Sequence, residues 1–427
     1  NDRSIYVAIM ANISKQWTDL SFIANIGSAF THTSYDITGF QGGLKPPSNL
    51  FTPNAIDYSR VSGDNRPIFD LTRHAIHSVF GSVELGWQEK VYLTVTGRND
   101  WDSSLSNTAQ QSFFYPSVGM SAILSKMLKL PAFVDFLKFR TSWASVGSAI
   151  SPNISSAWRY EYIPSTGTYH TVTYKFPDNF YPERTNSLEA GVTATLFKEA
   201  LSVKFTLYQS NTKNQTFLRQ ITLGGAYNRE YIQAGNVRNR GLELTVGYNK
   251  KWTDSRWSVN MSYSMNHNRI VRLLDNPNET LRQGGLNGCE VILTQGGTMG
   301  DLYTFTGFKR NQQGDIQVNT DGQVMQIELP TPRLVGSVLP KAHLGLNNTF
   351  SWKGLECRLL ITGRLGGVCV SQTQAFMDSY GVSQKTAVQR DNGGVAVGSQ
   401  YVPTERYYTV VGGETPIWDE YVYDASN

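Results

Sequence analysis

His74 and His77 stand three residues apart, a spacing at which two imidazoles on one helical turn can hold a metal ion. On a strand, the same spacing turns them to opposite faces. Gln317, Asn319, Asp321, Gly322 and Glu328 partly follow a calcium-loop pattern, with Gln317 where that pattern wants an aspartate. An Asp-Gly hairpin turn accounts for the same residues. Asp100 and Asp102 pair two carboxylates, but in an expected loop, where a solvated tip explains them better than acid–base work. The chain holds no GxSxG, no phosphate-binding glycine loop and no HExxH. Neither an enzyme, a cofactor nor a bound metal is expected. Cys289, Cys357 and Cys369 are odd in number and show no CxxC spacing; free thiols in apolar surroundings are the simpler reading, a Cys357–Cys369 bridge the alternative. Aromatics crowd two stretches: Trp158, Tyr160, Tyr162, Tyr169, Tyr174 and Tyr181, and Tyr401, Tyr407, Tyr408, Trp418, Tyr421 and Tyr423. Such rings can line a ligand chamber, meet a lid, or pack loop on loop.

The elements that hold these residues are legible from a period of two. Leu201, Val203, Phe205 and Leu207 alternate with Ser202, Lys204, Thr206 and Tyr208. Trp257, Val259, Met261, Tyr263 and Met265 alternate with Ser258, Asn260, Ser262, Ser264 and Asn266. Leu344, Leu346, Phe350 and Trp352 share a face opposite His343, Gly345, Asn347, Thr349 and Ser351. Twelve such segments are expected near 3–13, 20–31, 73–86, 90–99, 113–124, 136–147, 185–197, 200–215, 237–250, 256–269, 342–352 and 355–366. Soluble strands usually run about 5–6 residues, whereas a tilted membrane strand needs about 9–11. These segments meet the longer requirement.

Composition agrees with strands in lipid. Charged residues make up 17% of the 427, against about 25% in an ordinary soluble domain. Aromatics reach 12%, and 38 glycines serve many turns. The net charge of +4, without a dense basic cluster, gives nucleic-acid binding little support. No apolar run is long enough for a membrane helix, and no signal peptide opens the chain. The connections alternate: brief at 14–19, 87–89, 125–135, 197–199, 251–255 and 353–354, and long at 32–72, 100–112, 148–184, 216–236, 270–341 and beyond 367. Short turns on one side and long loops on the other mark a transmembrane β-barrel, its apolar face on lipid and its polar face on a wet lumen. Trp17, Trp87, Trp252, Trp257 and Trp352 fall beside the short turns, where an aromatic girdle belongs. Arg140, Glu189, Lys204, Glu243, Glu356, Arg358 and Arg364 are expected to face the lumen, since Arg or Lys facing lipid at mid-depth costs roughly 2–4 kcal/mol.

Several segments, in order, resemble the SusC/RagA-type TonB-dependent transporters of Bacteroidetes. Gly97-Arg98-Asn99-Asp100-Trp101 leads into Phe113-Phe114-Tyr115-Pro116, and Leu137-Lys138-Phe139-Arg140-Thr141-Ser142-Trp143 precedes Val146-Gly147-Ser148. Tyr181-Pro182-Glu183-Arg184 runs on to Glu189-Ala190-Gly191. Residues 208–215 and 234–244 are similar to two further strands, and Gly314-Asp315-Ile316 with Asp321-Gly322 to a loop. The resemblance implies a 22-stranded outer-membrane barrel around a plug. On that expectation residues 1–427 are part of the wall, and about ten strands, the plug and the TonB-contacting box lie outside this chain.

The resemblance further implies active import of an oligosaccharide or peptide. The expected partners are a SusD-like surface lipoprotein, TonB-ExbB-ExbD acting through the plug, and outer-membrane lipid. The lumen charges would then grip the plug. Alternatives are a passive porin-like channel, a siderophore-type receptor, or an adhesin barrel.

Overall fold

The computed structural model describes residues 2–41, 43–46, 49–50, 52–57, 66–106, 108, 110–151, 154, 158–163, 168–175, 177, 180–220 and 229–427. Among the described residues the main sheet has fourteen strands, twelve of them on one continuous path: β1 (Asp2–Gln16), β2 (Leu20–Gln41), β3 (Arg66–Trp87), β4 (Val91–Asp102), β5 (Ser112–Ile123), β6 (Val134–Ser148), β7 (Glu183–Leu196), β8 (Leu201–Gln220), β9 (Arg229–Lys251), β10 (Ser255–Arg272), β11 (Ala342–Trp352) and β12 (Leu355–Leu365). Each is hydrogen-bonded to the next in sequence order. Along this path β1 and β12 have one neighbour each among the described residues, so the sheet does not close within this chain. The chain falls into two compact units, Asn1–Thr193 with Tyr208–Asn236, and Ala194–Leu207 with Val237–Asn427.

In the first unit the registers gather the alternating residues into rows. Ile13, Ala24, Val83, Val95, Val118 and Trp143 lie side by side across six strands on one face. One residue along, Asn12, Asn25, Ser82, Thr96, Ser117 and Ala144 form a row on the other face. In the second unit Met261, Leu346 and Ile361 share a row, and Ser262, Gly345 and Thr362 lie behind it. The apolar rows are not buried: Ile13, Val83, Val95, Val118, Trp143, Met261 and Ile361 are all exposed. A soluble sheet would cover such a face, and an apolar surface running across this many strands is stable where hydrocarbon replaces water.

The short connections, at 17–19, 88–90, 124–133, 197–200, 252–254 and 353–354, all lie at one end of the strands. Lys353 and Gly354 have φ of 44° and 89°, the paired left-handed conformations that a two-residue hairpin needs. Trp17, Trp87, Trp252, Trp257 and Trp352 stand at these ends and are exposed, as an interfacial aromatic belt requires. The Trp257 indole donates to Asn348 Oδ1 at 2.9 Å, satisfying an amide on the outward face.

The opposite ends depart from the expected long loops. β2 and β3 stay paired out to Gln41 and Arg66, and β8 and β9 run to Gln220 and back from Arg229. Above the bilayer neither face must be apolar, so these extensions lack the alternation that marks the rest. The expected loop 148–184 contains a hairpin, Trp158–Ile163 with Thr168–Lys175, bridged in parallel to β9 at Arg229 and Glu230. The 270–341 segment folds as a four-stranded antiparallel sheet, Leu281–Leu286, Cys289–Leu293, Asp301–Phe308 and Gln326–Ser337. Beyond 367, where the sequence promised a loop, three helices appear: α1 (Gln372–Ser379), α2 (Gln384–Asp391) and α3 (Thr404–Val411).

The face assignment predicts opposite outcomes for neighbouring substitutions. Val95→Arg, on the outward face near mid-depth, should destabilise the folded wall by about 2–4 kcal/mol. Thr94→Arg, one residue away and beside Glu84, should change it little. Urea unfolding in lipid vesicles measures both, and equal costs would sink the assignment.

Candidate functional site

The inward face of the first unit carries a graded set of polar contacts. Nearest the short turns, Thr94 Oγ1 donates to Glu84 at 3.3 Å, and Asn25 Nδ2 donates to Ser82 Oγ at 3.0 Å. Further along, Arg98 binds Asp100 through Nε at 2.7 Å and Ser78 Oγ through Nη2 at 2.8 Å. The Tyr115 hydroxyl donates to the other Asp100 oxygen at 3.0 Å. His74 lies 2.7 Å from Asp102, which also accepts from the Ser104 amide and hydroxyl. Asp100 and Asp102 are therefore buried at 6% and 5% exposure, not a solvated loop tip. β4 runs through Asp102, so both carboxylates belong to the wall, and alternation sends them to the polar face, where cations and hydroxyls satisfy them. His77 points the other way, with its ring 6.1 Å from Trp101 on the outward face. The two histidines share no site.

Pro116 ends one ladder and so shapes this region. β5 pairs with β6 only over Ser117–Ile123, because proline has no N–H to extend the ladder. Beyond it, Phe113 and Tyr115 close over Gly147, where an added Cβ would meet their rings at 2.9 and 3.0 Å. Phe113 joins Leu105, Ile150, Phe180 and Tyr231 in a small apolar cluster. Arg184 supplies a substitute contact, donating to the Phe114 carbonyl at 3.4 Å and to Ser145 Oγ at 3.2 Å. Nothing in the spacing of the sequence distinguished Arg184; the proline in a long central strand was the readable signal.

The expected lumen charges fall as follows. Arg140 pairs across from Ser121 on the polar face, and lines with Glu189, Lys138 and Ser142 a shallow open depression. Lys204 and Glu243 are exposed on their strands. Arg358 and Glu356 bind each other, with Nη2 to Oε1 at 2.6 Å, on the polar face of β12. Arg364 instead ties the wall to the four-stranded sheet, donating to the Val338 carbonyl at 2.6 Å.

The aromatic stretches separate. Trp158, Tyr160, Tyr162, Tyr169 and Tyr174 lie on the hairpin strands, but their side chains fall outside the described residues. Tyr181 is exposed beside them in sequence, and its backbone N–H donates to Gln233. At the hairpin's base Glu230 is buried between Lys175 at 2.8 Å and Arg219 at 2.7 Å. Burial alone would raise its carboxyl, but hydrogen bonds from the two cations override that and hold it below the ordinary range.

Tyr407, Tyr408, Trp418 and Tyr421 line no chamber. They are core residues, packed with Cys289, Leu302 and Val324 from the four-stranded sheet and with Ala375, Val402, Val411 and Ile417. They pack one segment against another, and together these segments form a folded cap. The Trp418 indole donates to the Asn287 carbonyl at 2.8 Å, and Thr306 Oγ1 to the Pro416 carbonyl at 2.6 Å. Burial, with Asp378 and Glu420 near by, pushes the Tyr408 hydroxyl up to about 12. Tyr401 stays exposed. Asn319 Oδ1 accepts from the Asp321 and Gln323 amides, so the calcium-like residues build a hairpin turn, as Asn311 does with Gln313 and Asp315. The three thiols are free: Cys289 is buried, and Cys357 and Cys369 are exposed. Burial next to Glu290 pushes the Cys289 thiol up to about 11.

A sheet apolar on one face, polar on the other and joined by tight turns at one end of its strands defines a segment of an outer-membrane β-barrel. Comparison with known proteins agrees. The sequence profile described as "TonB dependent receptor-like, beta-barrel" matches residues 6–410, and the chain belongs to that family. TonB-dependent receptor P3 of Formosa agariphila is 24% identical over 371 residues, covering 79% of this chain and 36% of the relative. Receptor P26 of the same organism is 25% identical, over 70% of this chain and 32% of its own length. The chain thus spans about a third of these curated relatives. Among solved structures, the RagAB peptide transporter matches all of this chain and 48% of its own, with a TM-score of 0.73 at 16% identity. The RagAB importer in its open-open state gives 0.74 at 16% identity, over 46% of its length. The shared fold is that of a SusC/RagA-type wall.

Two measurements test this geometry. On intact cells a membrane-impermeant maleimide should label Cys369 and spare both Cys289, inside the cap core, and Cys357, two residues from a short turn on the outward face. Labelling of Cys357 with Cys369 protected would invert the orientation. Arg184→Met should lower unfolding stability by about 1–3 kcal/mol, since it strands the Phe114 carbonyl. A cost within error of zero would mean that water, not Arg184, serves that carbonyl.

Proposed function

We propose that this wall belongs to an importer of bulky oligomeric nutrients, peptides or oligosaccharides, which takes its energy through TonB and works with a surface lipoprotein of the SusD type. The family comprises receptors and transporters rather than enzymes, and the RagAB structures that share this fold are described as peptide importers. The observation that carries the reading is the character of the inward face. Two of its charge pairs, Arg98 with Asp100 and Arg358 with Glu356, sit among hydroxyls and amides that tolerate varied hydrogen-bonding cargo. The depression lined there by Arg140, Glu189, Lys138 and Ser142 is open and shallow.

On this reading the plug would occupy the lumen against residues such as Arg140, Glu189, Lys204 and Glu243. The hairpin bearing Trp158, Tyr160, Tyr162 and Tyr169, with Tyr181 and Tyr401, would meet cargo or the lipoprotein. Reversal of charge at Glu356 or Arg358 would then disturb plug release.

Uptake of fluorescent peptides and oligosaccharides of graded size, in cells carrying or lacking the gene and carrying or lacking TonB, tests the proposal. Loss of uptake of one cargo class in both deletions is expected. Uptake that survives without TonB would make the barrel a passive channel, and surface binding without uptake would make it an adhesin.

A further inference from the structure

The outward face of β1 to β4 changes character along its height, and the change is concentrated in a few rows. From the short turns upward it is apolar: Leu20 with Trp87, then Phe22 with Leu85 and Leu93, then the six-strand row through Val83, and then Ile26 beside Gly81 and Gly97. Val7, Phe30, His77 and Trp101 form a later row, His32 lies one row above between Ile5 and Ala75, and Arg3, Ser34 and Arg73 form the next. Ten residues separate Leu20 from Phe30; at about 3.4 Å per residue and a tilt of about 40° they rise roughly 26 Å, the height of a barrel's apolar band. Arg3 and Arg73 sit roughly 10 Å higher still, at the level of the headgroups of the outer leaflet.

These two arginines flank Ser34 in one lateral row, so their Cα atoms are about 10 Å apart, two interstrand steps. Two guanidinium groups at that spacing can close on a single phosphate from both sides. Both arginines are exposed and point away from the lumen. The floor below them is ordered. His77 Nε2 lies 3.3 Å from Ser28 Oγ and its ring leans on Trp101, while the His32 and Phe30 rings stack within 6° of parallel. Half-buried Ile5 and exposed Val7 and Ile9 continue downward as an apolar track on the same face. Asp36 stands one row beyond, beside Leu71, and is already engaged in an interaction of its own.

We propose that Arg3 and Arg73 form a binding site for a phosphorylated lipid of the outer leaflet, its phosphate held between the guanidinium groups over Ser34 and its acyl chains laid along Ile5, Val7 and Ile9. A phosphate is the ligand that matches two forked cations at headgroup height, and an acyl chain is the partner that matches an apolar track running down into the bilayer. A soluble cargo does not fit, because the site lies on the lipid side of the wall. The inference rests on the outward face being the lipid face and does not depend on the identity of the cargo.

The full-length protein in phosphatidylcholine nanodiscs doped with lipid A tests it, with retained lipid A counted by native mass spectrometry. Each basic residue at an anionic membrane surface contributes roughly fivefold, so Arg3→Gln with Arg73→Gln should weaken retention roughly thirtyfold. Arg3→Lys with Arg73→Lys, which keeps charge and loses the fork, should fall between. Heat-modifiable migration on gels reports that each variant keeps its barrel. Unchanged retention in the glutamine variant overturns the proposal, as does equal retention of dephosphorylated lipid A. Inorganic phosphate at millimolar concentration displacing all the bound lipid A would show an ion site rather than a lipid site, and would overturn it too. Loss of lipid with TonB-dependent uptake intact would uphold it, since cargo import is a separate matter.

Discussion

Inside a membrane a backbone N–H or C=O has no water to turn to, and leaving one unpaired costs several kcal/mol. That constraint organises the molecule. It requires each strand from β1 to β12 to pair with the next in sequence order, and to be long enough to carry its hydrogen bonds across the bilayer. Where the ladder fails, at Pro116, the chain supplies Arg184 to the exposed Phe114 carbonyl and rings to the space over Gly147. An amide stranded outside, Asn348, receives the Trp257 indole. The same accounting, applied to side chains, explains the inward network, since buried Asp100 and Asp102 are tolerable only because Arg98, Tyr115, Ser104 and His74 surround them.

The wall was legible from sequence because lipid on one side and water on the other leave a period of two. Leu344 to Trp352 and Trp257 to Met265 announced both their strands and their faces, and Lys353-Gly354 announced a turn. The reading weakened wherever that contrast ended. Above the bilayer, residues 32–41 and 66–72 still pair, but neither face needs to be greasy, and they passed for loop. Asp100 and Asp102 read in sequence as a solvated tip because they fall past the expected strand 90–99, in an expected loop. Their burial depends on Arg98 and Tyr115, and on His74 from another strand, partners that one-dimensional spacing does not reveal. The helices of the cap did leave marks. Ser371 with Gln374 follows a capping-box pattern, and Gly393 follows α2 in a left-handed conformation, φ 83°. Neither mark stands beside a long apolar periodicity, since each of these helices has only eight residues.

The aromatics of the cap show how alike two roles look in sequence. A ring that stacks on cargo and a ring that fills a core are the same residue, and the difference lies in what covers it. Trp418 and Tyr408 are covered by the four-stranded sheet, while Tyr401 is not. The cap has an interior of its own, side-chain caps on α1 and α2, and a buried acid. Asp378 accepts from Gln374 and Ser383. It stands on a wall that obeys the reverse rule, with greasy residues outside.

The cap is assembled from two pieces of chain that β11 and β12 separate. Residues 281–337 bring Cys289, Leu302 and Val324, and the remainder of that interior arrives only with residues 367–427. Neither piece covers its own apolar side, so the interior closes only where β11 and β12 have brought the two together. Loss of the pairing among β10, β11 and β12 would therefore leave two uncovered halves at the surface where one closed domain now stands.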